Sequence, residues 1–249
     1  MVHVSSRPYG YQRKTMSRFK YSDAIKYPEM ESVTAESGSR VYTTPSGPAP
    51  SVTTILSTLP HPGLDEWRER VGEEEAARVS LEATDIGSAM HDMLEAYVRK
   101  VPFEPKGIPE EDIAKKMFAA VRMMGLRGLD EVWGIEVPLY YEDLYAGRTD
   151  LVGVFNGKPS IIDYKTSKYF KKDEWIHDYY LQTAAYAIAH DWMFPDFKIE
   201  QAVLLIGTRP NPEYNVPPKC QIVTVDSGKL ETYKDEWVDV LDGYYAQAA

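Results

Sequence analysis

An aspartate and a lysine stand two residues apart inside an apolar run, Ile161-Ile162-Asp163-Tyr164-Lys165. A run of this kind reads as a buried strand. Period-two geometry then points Asp163 and Lys165 to one face, together with Ile161. Burying both charges costs several kcal/mol unless they are paired or hold an ion, so the face must be apolar at one end and charged at the other. Alone, the pair is satisfied as a structural ion pair. A second acid changes this. Gly147-Arg148-Thr149-Asp150 closes the preceding apolar segment, with Asp150 read as ending its strand. A three-strand meander would set Asp150 beside Asp163, and two like charges so placed need a cation between them. Two carboxylates with the Tyr164 carbonyl make the partial oxygen shell that Mg²⁺ accepts, leaving room for water and a phosphate oxygen.

The order of the elements limits the fold. Residues 1–40 show neither helical nor strand periodicity and read as a flexible arm or irregular wrap. A Pro- and Gly-rich entry covers 41–50, and Ser51 is placed to cap a short helix beginning at Val52. Residues 65–82 form a charged helix with Trp67, Val71, Ala77 and Leu81 as its apolar positions. Residues 83–100 and 110–126 follow as amphipathic helices. Strands are expected at 132–141, 144–155 and 160–166, with Asn156-Gly157 as a hairpin turn. A helix over 172–193, strands at 200–207 and 220–225, and a closing helix over 226–246 complete the chain. The fold class is therefore α/β, a mixed central sheet flanked by helices with an N-terminal helical elaboration. The expected division is an arm over 1–40 and one domain over 41–249, with a helical part at 41–130 and an α/β core at 131–249.

Composition narrows the chemistry. The net charge of −10 argues against coating nucleic acid through bulk charge, though not against a local basic track. Such tracks exist at residues 1–30 and from Lys165 to Lys172, where four lysines occur with no acid between them. A single cysteine, Cys220, excludes an intrachain disulfide and a cysteine-ligated iron–sulfur cluster. No run approaches the ~20 apolar residues of a membrane span, so no membrane partner is expected. No G-x-x-x-x-G-K-[ST] motif occurs, so no ATP use is expected and any unwinding would come from a partner protein of replication or recombination.

Other residues join the candidate site. His91 faces the apolar stripe of Leu94 and Val98. Its readings are a core histidine, a second-metal ligand or a phosphate contact. Gln182 and Tyr186, four apart on a helix, project together. Glu136, between Ile135 and Val137, is a further candidate ligand. Lys165 suits positioning or deprotonation of the attacking water, or stabilisation of a developing oxyanion.

The set His91, Gly147-x-x-Asp150, Asp163-x-Lys165 and Gln182-x-x-x-Tyr186 resembles the RecB-type branch of the PD-(D/E)XK nucleases. Arg40-x-Tyr42, Pro50-Ser51-Val52-Thr53-Thr54-Ile55-Leu56, Trp67 and Gly87-x-x-x-His91 resemble the mitochondrial genome maintenance exonucleases and their phage relatives. The resemblance spans about residues 40 to 210. It implies a PD-(D/E)XK core and a Mg²⁺-dependent exodeoxyribonuclease, with Mn²⁺ substituting, that prefers single-stranded DNA with a free end. His91, Asp150, Asp163 and Lys165 would be catalytic. Asp150, Asp163, the Tyr164 carbonyl, His91 and Glu136 would hold metal. Gln182, Tyr186, Lys168, Ser51 and Thr53 would contact substrate, and residues 65–126 are the candidate for an arch over the strand. A cytoplasmic rather than mitochondrial location is expected, in the host cell if the protein is phage-encoded. The alternatives are a duplex-dependent exonuclease, a structure-specific endonuclease, and a non-catalytic DNA-binding protein on the same fold.

Overall fold

The computed structural model describes residues 19–248. The first eighteen residues of the expected arm lie outside them. A six-stranded mixed sheet runs in the order β1-β5-β6-β7-β8-β9. Its strands are β1 (Lys20–Tyr21), β5 (Leu129–Tyr141), β6 (Tyr145–Phe155), β7 (Lys158–Ser167), β8 (Gln201–Thr208) and β9 (Lys219–Val225). Strands β5, β6 and β7 form the antiparallel meander, and Asn156 and Gly157 both take positive φ in the β6–β7 turn. Strands β7 and β8 are parallel, and the crossover between them carries α5 (His177–Met193). No helix is long and apolar enough to cross a membrane among the described residues.

Alternate residues of the sheet feed two apolar layers. Val152, Ile161, Leu204 and Ile206 pack against α1 (Val52–Leu56), α5 and α6 (Ser227–Ala248), around the fully buried Trp237. Leu151, Ile162, Val203 and Leu205 pack against α3 (Glu73–Arg99) and α4 (Glu110–Met124). Fully burying each such aliphatic side chain contributes roughly 1.5–3 kcal/mol, so the two layers hold the sheet rigid between them.

The helical part differs from the sequence reading. The break falls at Gly72, whose φ of 84° is open to glycine, and not near residue 82. It separates α2 (Pro62–Val71) from one long helix, α3, whose first turn carries Glu73, Glu74 and Glu75 at the positive end of the helix dipole. Leu81, expected on an apolar stripe, is 63% exposed. Only Ala76 is buried in α3 before Ile86, because the first half of the helix extends past the sheet. The lead-in segment is also more ordered than its sequence suggests. Phe19, Ile25 and Met30 are buried, β1 pairs in parallel with β5, and β2 (Ser32–Thr34), β3 (Arg40–Thr44) and β4 (Gly47–Pro50) form a small antiparallel sheet. Pro48 and Pro50 sit on its edge strand, where a missing N–H is tolerated.

His190 on α5 is fully buried against Trp133 and Phe194, and its Nε2 meets the Tyr27 hydroxyl at 3.0 Å. Burial, joined by the charge of Lys198, pulls its pKa from 6.5 to about 4. The unfolded chain therefore takes up this proton before the folded one does. Stability present above pH 6.5 is lost as pH falls toward 4, by on the order of 3 kcal/mol. Urea unfolding of His190→Gln beside the wild type at pH 7.5 and 4.5 tests this. The variant's deficit should narrow at the lower pH, and an unchanged deficit excludes His190 as the source.

Candidate active site

The β6–β7 ladder supplies the site's geometry. Its last paired rung is Leu151 with Ile162. Continuing the register, the next rung would oppose Asp150 and Asp163, and there the strands part. β7 runs on to Ser167 along β8, while β6 stays with β5. The sequence reading put Asp150 at a strand end. It lies instead in the interior of β6, at the end of its pairing with β7, because the splay interrupts the ladder and not the strand.

Asp150 fills the fork. Its Oδ2 accepts the Tyr164 backbone N–H at 2.5 Å, replacing the strand partner that Tyr164 has lost. In an extended strand a residue's N–H and C=O point to the same side, so the Tyr164 carbonyl also faces the fork. The other oxygen, Oδ1, meets His91 Nδ1 at 3.1 Å. His91 reaches it from α3, and its ring packs edge-on to Tyr164 with centroids 5.8 Å apart.

The second half of the site comes from the opposite layer. Lys165 Nζ lies 2.5 Å from Asp163 Oδ2 and donates to Gln182 Oε1 at 2.8 Å. Gln182 Nε2 donates to the Tyr186 hydroxyl at 3.1 Å. Both α5 side chains are buried, as their four-residue spacing on one helix face allows. The sequence reading missed Tyr179, whose ring centroid lies 5.0 Å from Lys165 Nζ. Its signal was the spacing to Gln182 and Tyr186, three and seven residues on along the same helix.

The charges are strongly coupled. Burial works against ionised Asp150, but His91, Lys165 and the Tyr164 N–H outweigh it and lower its pKa. For Asp163, burial and the nearby Asp150 charge outweigh Lys165 and raise the pKa. Burial also opposes a charged Lys165, yet the two carboxylates raise its pKa and keep it an ammonium ion. At His91 the burial penalty is overcome by Asp150, and the ring is lifted to about 8.

Glu136, on β5, falls opposite Asp150 of β6 between the rungs Ile135–Leu151 and Val137–Thr149, with a left-handed φ of 54°. Burial first, then Asp150 and Glu95, push its carboxyl up to about 7. It borders a polar cavity of about 360 Å³ with Arg99 and Arg148. Ser51 bridges Ala146 on β6, four residues before Asp150. Ser51 Oγ accepts the Thr54 N–H at 2.9 Å to cap α1 and meets Thr53 Oγ1 at 3.0 Å. Lys168 follows the end of β7 at the surface.

The donor set suits a hard cation that keeps most of its waters. Asp163 Oδ2 is buried and has no aligned hydrogen bond, only the charge of Lys165. Among the described residues no three His, Cys, Asp or Glu side chains form a ready metal cage. Two carboxylates and a carbonyl match Mg²⁺, which commonly binds through one or two carboxylates plus substrate phosphate.

No family model matches the chain, and no curated protein matches it. Solved structures do. A candidate exonuclease from Eubacterium rectale aligns at 16% identity over 66% of this chain and 68% of its own, with a TM-score of 0.40. A phage-related exonuclease from Haemophilus somnus 129PT aligns at 19% identity over 65% and 81%, with a TM-score of 0.33. LHK-Exo, solved in complex with dAMP, aligns at 12% identity over 64% and 80%, with a TM-score of 0.31.

Proposed function

We propose that the chain is a Mg²⁺-dependent exodeoxyribonuclease of the PD-(D/E)XK superfamily, RecB-like branch, acting on single-stranded DNA ends as one catalytic domain over residues 41–249. The observation that carries this reading is the placing of Asp150 and Asp163 one step beyond the last β6–β7 rung, where the fork opens, with Lys165 on Asp163. Asp150, Asp163 and the Tyr164 carbonyl would hold Mg²⁺ or Mn²⁺, which supplies positive charge at the scissile phosphate and a more acidic bound water.

The chain's own groups do the positioning. Tyr164 N–H and His91 fix the two Asp150 oxygens. Lys165 is held by Asp163 and Gln182, and Gln182 by Tyr186. The Asp163 ion pair favours the ammonium form of Lys165, which suits it to neutralise charge developing on the phosphate.

Digestion of 5′- and 3′-labelled oligonucleotides tests the reading. Linear single strands should be degraded with Mg²⁺ and left whole in EDTA. Duplexes should be cut more slowly. A closed single-stranded circle cut as fast as a linear strand would exclude a strict exonuclease and favour an endonuclease. Binding without any cleavage in Mg²⁺ or Mn²⁺ would leave only a non-catalytic DNA-binding role.

A further inference from the structure

The β6–β7 fork opens toward the C-terminal ends of β7 and β8, and an aromatic, basic surface stands there. Tyr169, Phe170 and Tyr214 are 58%, 52% and 70% exposed. With Lys168, Arg209 and Lys219 they line a cavity of about 420 Å³. Single exposed aromatics are ordinary, but three lining one concavity are not explained by the fold. Lys168 lies three residues beyond Lys165, roughly 10 Å along an extended chain.

Two features suit this surface to a nucleic-acid strand. The first is charge. Arg209 is paired with Glu82, but among the described residues Lys168, Lys171 and Lys219 have no carboxylate at ion-pair distance. Uncompensated lysines on a chain of net charge −10 favour a polyanion locally. The second is rigidity. Gln221 clamps the Lys171 backbone through N–H and C=O, both at 2.8 Å, and Ser167 Oγ donates to the Tyr169 carbonyl at 2.6 Å. The backbone is thus fixed while the rings face outward, so little is lost in ordering them on binding. Lys168 lies 5.7 Å from the Tyr169 ring centroid and Lys219 5.8 Å from that of Phe170, so cation and ring are presented together.

We propose that Tyr169, Phe170 and Tyr214 form a stacking platform for unpaired bases of the DNA strand leaving or entering the cleft, with Lys168, Lys171 and Lys219 on its phosphates. Base faces are available only in a single strand, so the platform discriminates against duplex before any chemistry occurs. This inference rests on the nuclease reading of the Asp150–Lys165 site and gives a physical basis for its strand preference.

The test is fluorescence anisotropy in EDTA with catalytically disabled Asp163→Asn protein, with and without Tyr169→Ala and Phe170→Ala together. The probes are a labelled oligo-dT, the same length of abasic backbone, and a duplex. Loss of two stacking rings should weaken oligo-dT binding about tenfold or more. The abasic strand should bind the unsubstituted platform weakly and be nearly indifferent to the ring substitutions. Unchanged oligo-dT affinity, equal affinity for abasic strand, or tighter duplex binding overturns the platform. So does a concentration-dependent dimer that the substitutions dissolve. Catalysis is read separately. Ring-dependent binding in a protein whose wild type never hydrolyses DNA keeps the platform and removes the nuclease reading. Hydrolysis with ring-independent binding does the reverse. Thermal melts confirm that the surface substitutions leave the fold intact.

Discussion

Lys165→Met should lower the rate of DNA hydrolysis in Mg²⁺ by about 10²–10³-fold, the range for removing one preorganised group that stabilises developing charge. It should also destabilise the metal-free protein by about 3 kcal/mol or more, because Asp163 would lose the cation 2.5 Å away while staying buried. Asp163→Asn should be equally inactive for a different reason, the loss of a metal ligand. Its stability should fall less. The substitution removes one of two mutually repelling carboxylates, and Lys165 still feels Asp150. The prediction is therefore an ordering. Both variants are inactive, and Lys165→Met is the less stable in EDTA. Urea unfolding in EDTA and digestion of end-labelled oligonucleotides in Mg²⁺ check the two halves. Near-wild-type hydrolysis by Lys165→Met ends the catalytic assignment, and greater instability of Asp163→Asn ends the account of the charges.

What made this site legible was cost. Asp163 and Lys165 interrupt an apolar strand, and only a compensating arrangement makes that tolerable, so their sequence spacing already implied their pairing. The meander was legible from Asn156-Gly157, since that dipeptide fixes the β6–β7 register. Where the ladder ends was not legible. Nothing in residues 145–155 signals that β6 parts from β7 at Asp150. The same limit hid β2, β3 and β4. Their short strands, with Pro48 and Pro50 on the edge, carry no alternating pattern, and they hold together through Tyr42, Ala49 and Ala146 from a distant strand. The helix break at Gly72 was local and available, but the charged run around it masked the boundary. Glu136 stood out in sequence as an acid between Ile135 and Val137, a candidate ligand, but its backbone conformation did not. Its left-handed backbone opposite Asp150 belongs to the three-dimensional arrangement, where such strain commonly accompanies function.

Gly147→Ala should cut kcat by as much as about 10²-fold with little change in KM, although Gly147 touches none of the charged groups. A Cβ built at this position would stand 2.6 Å from Tyr186 Cε1, far inside contact distance. Tyr186 is nearly fully buried, so accommodating the new methyl requires the ring to shift within a packed layer. Its hydroxyl takes the Gln182 amide, and Gln182 takes Lys165, so the displacement is passed to the ammonium group at the fork. Misplacing a catalytic group by about 1 Å is enough for a loss of that size. The overpacking itself should lower stability by about 1–3 kcal/mol, well short of unfolding a typical domain. Tyr186→Leu supplies the control. Removing the ring also removes the clash, so adding Gly147→Ala to that background should change kcat and stability little further. Strict additivity of the two substitutions would show that Gly147 acts through something other than Tyr186. Tyr186→Phe isolates the hydroxyl. It keeps the ring that Gly147 accommodates and deletes only the acceptor for Gln182, so its defect should appear in kcat with a stability change near 1 kcal/mol.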